Sequence, residues 1–266
     1  MLGKLVKYDL KASGKLFLLI HIIYLLTCLM VRFFYVNQLD FEAPAAPLFT
    51  SIVIASALML FIITAVCICT WLQITFRFYR NLFGKEGYLT WTLPASSTEH
   101  LWAKLLSGYL LSAANTVIIA IGILILVTGE NVTAFYAQFA PTFTAELGVP
   151  LTTYALWLFL YSLAGGICSV IWIYFCITAG QLFPGHRVLC AIAVYFIFGF
   201  VIQALSFLIL FLSGYFPGYN HMASQGITAA AYLTGTLLIS TVLIVIITVL
   251  QYAAMHYIMK RQINLL

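Results

Sequence analysis

The sequence predicts an all-α, polytopic membrane protein, and three observations support that prediction. Of the 266 residues, 64% are hydrophobic and only 7% are charged, whereas a soluble domain has roughly 25% charged residues. The apolar residues occur in runs long enough to cross a bilayer. Lys and Arg are concentrated at the two termini and in every second connection between those runs. Twelve basic and seven acidic residues cannot cover a soluble fold of this length, so much of the apolar surface must face lipid.

Six apolar segments are long enough to span the membrane. A helix rises about 1.5 Å per residue, so about 20 apolar residues cross the hydrocarbon core. Several segments exceed this minimum, which indicates tilt or extension beyond the membrane. The predicted spans are Leu16 to Val36, Leu48 to Phe76, Leu101 to Val127, Leu151 to Leu182, Val188 to Leu212 and Ile227 to Tyr257.

The distribution of positive charge predicts that both termini are cytoplasmic. Short cytoplasmic loops are enriched in Lys and Arg, and eleven of the twelve basic residues lie on one side if the N-terminus is inside. Arg32, near the outer end of the first span, is the exception. The first apolar run is longer than that of a signal peptide, so we expect it to stay attached to the chain.

The N-terminal segment, residues 1–15, is predicted to be an amphipathic helix at the membrane surface. At about 100° per residue its lysines share one face, where their stems can extend toward anionic headgroups before the chain turns into the first span. The simpler role is an anchor that fixes topology, and the alternative is a role in gating. Asp9 interrupts the opposite, apolar face and is expected to pair with a lysine of the same helix or of another cytoplasmic segment. The membrane-surface residues are Lys4, Lys7, Lys11 and Lys15.

The loop between the second and third spans, residues 77–100, mixes aromatic and charged side chains. This mixture suits a surface that docks a partner protein, although an aromatic belt with a positive-inside loop explains the same residue types. Gly84 and Gly87 permit tight turns. Ser96 and Glu99 have capping-box spacing and are predicted to start the next helix. The candidate docking residues are Tyr79, Arg80, Asn81, Phe83, Gly84, Lys85, Glu86, Gly87 and Tyr88.

The chain lacks the motifs of a self-contained motor or hydrolase, and no catalytic residue is predicted. Glu86 follows Gly84-Lys85, and Tyr79 stands where a phosphate-binding loop requires glycine, so we do not expect this chain to bind ATP. Charge deep in a span is unfavourable and usually functional, and His21 alone lies well inside a span. A lone His is more often a hydrogen-bonded packing residue, since catalysis needs an orienting partner.

Neither a metal site nor a set of disulfides is predicted. The six cysteines lie in or beside apolar runs and are expected to pack as small hydrophobic residues. Neutral polar residues such as Gln73 and Thr70 either line a polar path or form hydrogen bonds between helices, and the second role is expected. Small residues permit close helix contact within the chain or across a dimer; they are Gly108, Ser112, Gly165, Gly166 and Ser169.

Two stretches resemble the permease subunits of type-2 ATP-binding-cassette exporters, in particular a group of small bacterial permeases. One is the opening MLGKLVKYDLK at residues 1–11, and the other is YRNLFGKEGYLT at residues 79–90, followed by TLP at residues 92–94. With the six spans and both ends inside, the resemblance covers the whole chain. Outside the two stretches it consists mainly of hydropathy. It implies a location in the bacterial plasma membrane.

The resemblance also implies a mechanism. The loop of residues 77–100 would carry a coupling helix that fits a groove on a separate cytoplasmic ATPase, and closure of two ATPases around nucleotide would move the spans. ATP and magnesium would bind the ATPase, and this chain would bind no cofactor. A second permease, identical or related, would complete the path for a hydrophobic or amphiphilic substrate such as a peptide, a drug or a lipid. No nucleic-acid partner is expected.

Two matters stay open from the sequence. Exporters of this class often carry a re-entrant hairpin before the last span, and Ser213 to Gly226 is short for one, so a hairpin would begin near Gln203 or be absent. The alternatives to an exporter subunit are a membrane subunit for assembly or sensing that does not transport, and a channel or carrier independent of ATP.

Overall fold

The computed structural model describes residues 2–39, 45–84, 86–92, 94, 96–215, 218, 226 and 228–261. All regular secondary structure in this part of the chain is helical. In chain order the helices are α1 (Leu2–Phe34), a 3₁₀ turn (Val36–Gln38), α2 (Ala45–Leu82), α3 (Gly87–Trp91), α4 (Ser97–Val127), α5 (Glu130–Leu147), α6 (Leu151–Gly180), α7 (Arg187–Leu212) and α8 (Ala229–Arg261).

Six helices, α1, α2, α4, α6, α7 and α8, are long and apolar enough to cross a membrane. Each overlaps one of the six spans predicted from hydropathy, and the shortest, α7, has 26 residues. Their outward surfaces carry large exposed aliphatic and aromatic side chains, as expected where the surroundings are lipid. The fold is therefore all-helical with six candidate transmembrane helices, as predicted.

The prediction of a separate surface helix over residues 1–15 is wrong in one respect. Leu2–Phe34 forms a single helix of 33 residues, so the chain does not turn before the first span. The face opposite the exposed lysines packs on protein, because Leu10, Ser13 and Phe17 lie against the neighbouring helices. At about 1.5 Å per residue α1 is about 50 Å long, and its first turns extend past a hydrocarbon core of about 30 Å.

Contacts between helices show which helix ends lie together. Near the start of α4, Lys104 bonds to Asp9 of α1, and Thr98 lies 3.2 Å from His256 near the end of α8. Near the end of α1, Arg32 donates hydrogen bonds to the last turn of α4. We call the end with Asp9 and Lys104 the basic end and the other the far end. The start of α1 and the end of α8 thus share one side of the bundle.

The main buried core lies toward the basic end, where α1, α2, α4 and α6 meet. The ring of Phe78 stacks on that of Tyr174, with centroids 3.7 Å apart. A Cβ at Gly108 would lie 2.6 Å from the Tyr174 hydroxyl, and one at Gly166 would lie 2.9 Å from the Ser112 hydroxyl. At these positions the predicted close packing of small residues is confirmed, and it occurs within the chain.

One helix near the far end was not predicted, and one open alternative is resolved there. α5 occupies the connection between the third and fourth spans and ends at Gly148, whose φ of 72° is the left-handed conformation that favours glycine at a helix terminus. α7 continues without interruption through Gln203 to Leu212. A hairpin beginning near Gln203 is therefore wrong, and residues 219–225, where a shorter one would lie, are outside the described residues.

Candidate functional site

The predicted docking loop is shorter in the structure, because α2 continues to Leu82 and α4 begins at Ser97. The connection, residues 83–96, is called the α2–α4 loop below, and it contains the single-turn helix α3. A Cβ at Gly84 would lie 2.8 Å from the backbone oxygen of Arg80, and one at Gly87 would lie 2.6 Å from that of Leu82. The two glycines therefore let the backbone fold closely against the end of α2.

The capping box predicted at the start of α4 is confirmed. The Ser96 backbone N–H donates to Glu99 Oε2 at 2.9 Å, and the Glu99 N–H donates to Ser96 Oγ at 3.2 Å. These bonds satisfy two amide groups that have no partner within the helix. The exit of the α2–α4 loop thus has a defined geometry.

Aromatic side chains on the inner face attach the loop to the helices. Trp91 Nε1 donates to the backbone oxygen of Leu82 at 3.1 Å, and its ring lies 5.6 Å from that of His100. The ring of Phe83 packs edge-on against the buried Phe78, with centroids 5.8 Å apart. The α2–α4 loop is therefore part of the folded core and moves with it.

Exposed side chains on the outer face of the loop and the adjoining end of α2 include Arg80, Glu86 and Tyr88. Tyr88 is 74% exposed, and Arg80 and Glu86 form an ion pair of 2.8 Å on the surface. An ion pair this exposed adds little stability, so either charge is available to a partner. We call these three residues the exposed loop face.

The predicted docking residues consequently have different roles. Those on the exposed loop face are accessible to a partner, and others pack partly against the helices. Lys85 lies outside the described residues. Arg80, Glu86 and Tyr88 point outward; Tyr79, Asn81 and Phe83 are partly buried; Gly84 and Gly87 shape the backbone.

A buried ion cluster connects α1, α2 and α4 directly beneath the loop. Asp9 Oδ1 accepts hydrogen bonds from Arg77 Nη2 and from Lys104 Nζ, both at 2.8 Å, and Asp9 Oδ2 accepts one from Ser107 Oγ. The side chains of Asp9 and Lys104 are only 10% and 11% exposed. Buried charges are tolerated where they are paired and hydrogen-bonded. We call these four residues the Asp9 cluster.

The Asp9 cluster decides a matter that the sequence left open. The expected partner of Asp9 was a lysine of its own helix or of another cytoplasmic segment. The partners are Lys104 and Arg77, on α4 and α2, while the four lysines of α1 are exposed. The sequence did contain one indication of an interhelical partner, which was the position of Asp9 on the apolar face of its helix. A carboxylate that packs on protein requires a cation on the facing helix.

Asn81 extends this network from the cluster to the loop. When the Asn81 amide is oriented with its nitrogen toward Glu86, Asn81 Nδ2 lies 3.1 Å from Glu86 Oε2. Asn81 Oδ1 then lies 2.7 Å from Lys104 Nζ. In this orientation both ends of the amide have a partner of the right kind. An exposed residue of the loop is thus linked to the buried cluster through one side chain.

A second buried network joins the same three helices nearer the bundle centre. His21 Nδ1 lies 2.8 Å from the backbone oxygen of Phe17, and Nε2 lies 3.0 Å from Asn115 Oδ1. Thr70 Oγ1 also donates to Asn115 Oδ1, at 3.1 Å. His21 is buried, so its predicted role as a hydrogen-bonded packing residue is confirmed. The sequence did not identify Asn115 as the partner.

Comparison with known proteins does not add to this geometry. No protein-family model, curated protein or solved structure matches the chain. Among the described residues, no group of three or more His, Cys, Asp and Glu side chains could hold a metal ion. A functional proposal therefore rests on the arrangement of residues at the basic end.

Proposed function

We propose that this chain is the membrane-spanning permease subunit of an ATP-driven exporter and that the α2–α4 loop docks a cytoplasmic ATPase. The observation that supports this most directly is the two-sided loop. Its exposed loop face presents two charges and Tyr88, while Phe83 and Trp91 pack inward. An aromatic belt alone needs only rings at the level of the headgroups. It does not require a loop that is capped, closely folded and attached to buried helices.

The network below the loop provides a route for movement. Glu86 is connected through Asn81 to Lys104, and Lys104 bonds to Asp9. Separating buried ionic partners is strongly unfavourable, so a partner that displaced the loop would move α1, α2 and α4 together. In this proposal the ATPase acts on three helices through one contact surface.

The remaining parts of the proposal follow from charge distribution and from the family resemblance. Most Lys and Arg residues lie at the basic end, which the positive-inside rule places in the cytoplasm. The membrane would be the bacterial plasma membrane, and ATP and magnesium would bind the ATPase. A second permease would complete the path, and a hydrophobic or amphiphilic substrate would move outward.

The test is co-purification of ATPase activity with the tagged chain from its native membranes. We expect an ATP-hydrolysing subunit to co-purify and Tyr88→Ala to reduce the recovered ATPase activity about tenfold, as is typical when a central aromatic contact is truncated. The matched control is Phe76→Ala, since Phe76 is a similarly exposed aromatic residue, 64% against 74% for Tyr88, and lies on α2 outside the loop.

Three results would contradict the proposal. In the first, no ATPase accompanies the wild-type chain. In the second, Tyr88→Ala recovers as much ATPase activity as Phe76→Ala. In the third, the chain alone conducts ions or substrate in liposomes, which would identify a channel or carrier. An ATPase that co-purifies without any ATP-dependent transport in liposomes would instead identify an assembly or sensing subunit.

A further inference from the structure

A cavity of about 260 Å³ lies at the basic end between α1, α2, α4 and the α2–α4 loop. Its walls carry both charged residues and neutral polar ones, in contrast to the apolar surfaces of the spans. We propose that this cavity binds the phosphate group of an anionic phospholipid. The polar residues that line it include Tyr8, Asp9, Arg77, Thr90, His100 and Lys104.

The charge of the cavity favours an anion. Its ionised groups are two cations, Arg77 and Lys104, and one carboxylate, Asp9, so the lining has a net charge of +1. Asp9 engages Nε and Nη2 of the guanidinium, and no described residue accepts a hydrogen bond from Nη1. A guanidinium that has a free edge and a neighbouring ammonium group is well suited to phosphate oxygens.

His100 is a second polar group of the cavity wall with unused hydrogen-bonding capacity. Its side chain is only 3% exposed, and its Nε2 has no hydrogen-bond partner among the described residues. Buried polar atoms normally have partners. A ligand in the cavity is one source of such a partner, and the neighbouring ring of Trp91, tilted by 55° to that of His100, does not provide one.

The position of the cavity favours a lipid over phosphate in solution. Its α1 wall includes Leu5 and the exposed Tyr8. On a helical projection Tyr8 lies between Asp9 and the face that carries the four exposed lysines, which are Lys4, Lys7, Lys11 and Lys15. Basic residues at a membrane surface attract anionic lipids. A headgroup held at this face can place its phosphate in the cavity while its acyl chains stay beside α1.

The experiment measures lipid retention by the purified full-length chain with native mass spectrometry. The probes are phosphatidylglycerol and phosphatidylcholine with identical acyl chains. We expect the wild type to retain phosphatidylglycerol preferentially and Arg77→Gln to weaken that retention about tenfold, the equivalent of one charge-assisted hydrogen bond. Arg77→Gln leaves the Asp9–Lys104 pair in place. The control, Lys260→Gln, removes one positive charge from an exposed position on α8 that does not line the cavity, and it should change retention less than about twofold.

A second variant keeps the test decisive if Arg77→Gln does not fold. His100→Phe keeps an aromatic ring at this position and all charges of the Asp9 cluster, and we expect it to weaken phosphatidylglycerol retention about threefold. Equal retention of the two lipids by the wild type would overturn the proposal. Equal retention of phosphatidylglycerol by His100→Phe and Lys260→Gln would also overturn it. The proposed ATPase is absent from this assay, so the outcome does not depend on that partner.

Inorganic phosphate distinguishes the two sources of the ligand group. If the cavity takes a lipid phosphate, millimolar phosphate should compete with phosphatidylglycerol in the wild type. A different outcome would assign the site to free phosphate and overturn the lipid proposal. In that outcome, phosphate raises the unfolding temperature of the wild type but not of Arg77→Gln, and the wild type shows no preference between the two lipids.

Discussion

Two parts of the bundle are held together in different ways. α1, α2 and α4 are joined by the Asp9 cluster and by the network around His21 and Asn115. α7 has no buried residue, and it contacts α6 through aromatic rings such as Phe198 against Phe175. In lipid, helix association depends on packing and interhelical hydrogen bonds. The difference indicates that buried polar contacts specify the arrangement of α1, α2 and α4, whereas apolar packing on α6 holds α7.

The largest effect is expected when the Asp9 cluster is broken. Asp9→Asn leaves the buried Lys104 and the partly buried Arg77 without this counter-charge, and we expect the free energy of unfolding in detergent to fall by about 3–5 kcal/mol. The control is Lys7→Gln, which changes an exposed charge of the same helix and should alter the free energy by less than about 0.5 kcal/mol. A loss below about 1 kcal/mol for Asp9→Asn would mean that the cluster is solvated.

Alanine substitutions at two glycines of the spans, Gly122 and Gly165, test how closely the helices pack at each position. A Cβ at Gly122 would overlap the ring and hydroxyl of Tyr24, whereas a Cβ at Gly165 would meet nothing within 4 Å. We therefore expect Gly122→Ala to lower the free energy of unfolding by about 1–3 kcal/mol. Gly165→Ala should raise it by about 0.5–1 kcal/mol, because alanine favours the helix. Changes of the same sign in both variants would contradict the close contact between α1 and α4.

A smaller effect is expected from the central hydrogen-bond network. Thr70→Val removes the hydroxyl that donates to Asn115, and we expect a loss of about 0.6–1.7 kcal/mol in the free energy of unfolding, the range for such bonds in membranes. Thr116→Val is the matched control, because the Thr116 hydroxyl donates only to Ser112 of its own helix. Equal losses in the two variants would show that the interhelical bond adds nothing.

The smallest effect is expected on α7. Phe200 is 76% exposed, so Phe200→Ala should change the free energy of unfolding by less than about 0.5 kcal/mol. Phe198→Ala removes a ring that packs on Phe175 and should cost about 1 kcal/mol. A loss above about 1 kcal/mol for Phe200→Ala would show that the exposed face of α7 is covered by another chain in the purified protein.

The positions of the spans were accessible from sequence because apolar length and charge are local properties. The third predicted span, Leu101 to Val127, differs from α4 (Ser97–Val127) only at its start. The capping box at Ser96 and Glu99 was also predicted, since it depends on residues three apart. Features that depend on a short stretch of chain can therefore be predicted from the sequence alone.

Features that depend on neighbouring helices were not accessible in the same way. Asp9 and Lys104 are 95 positions apart, and hydropathy does not specify which spans are adjacent. The length of α1 was missed because hydropathy measures the part of a helix that lies in lipid and does not detect a helix that continues beyond it. α5 was missed because a search for long apolar runs does not detect a helix of 18 residues that contains acidic and neutral polar side chains.

The unbroken course of α1 has a mechanical consequence. Asp9 and Arg32 belong to one helix without proline or interruption, and they lie about 35 Å apart along its axis. Because one helix joins the two residues, a rigid tilt of α1 at Asp9 also displaces the contacts between Arg32 and Thr128 at the far end.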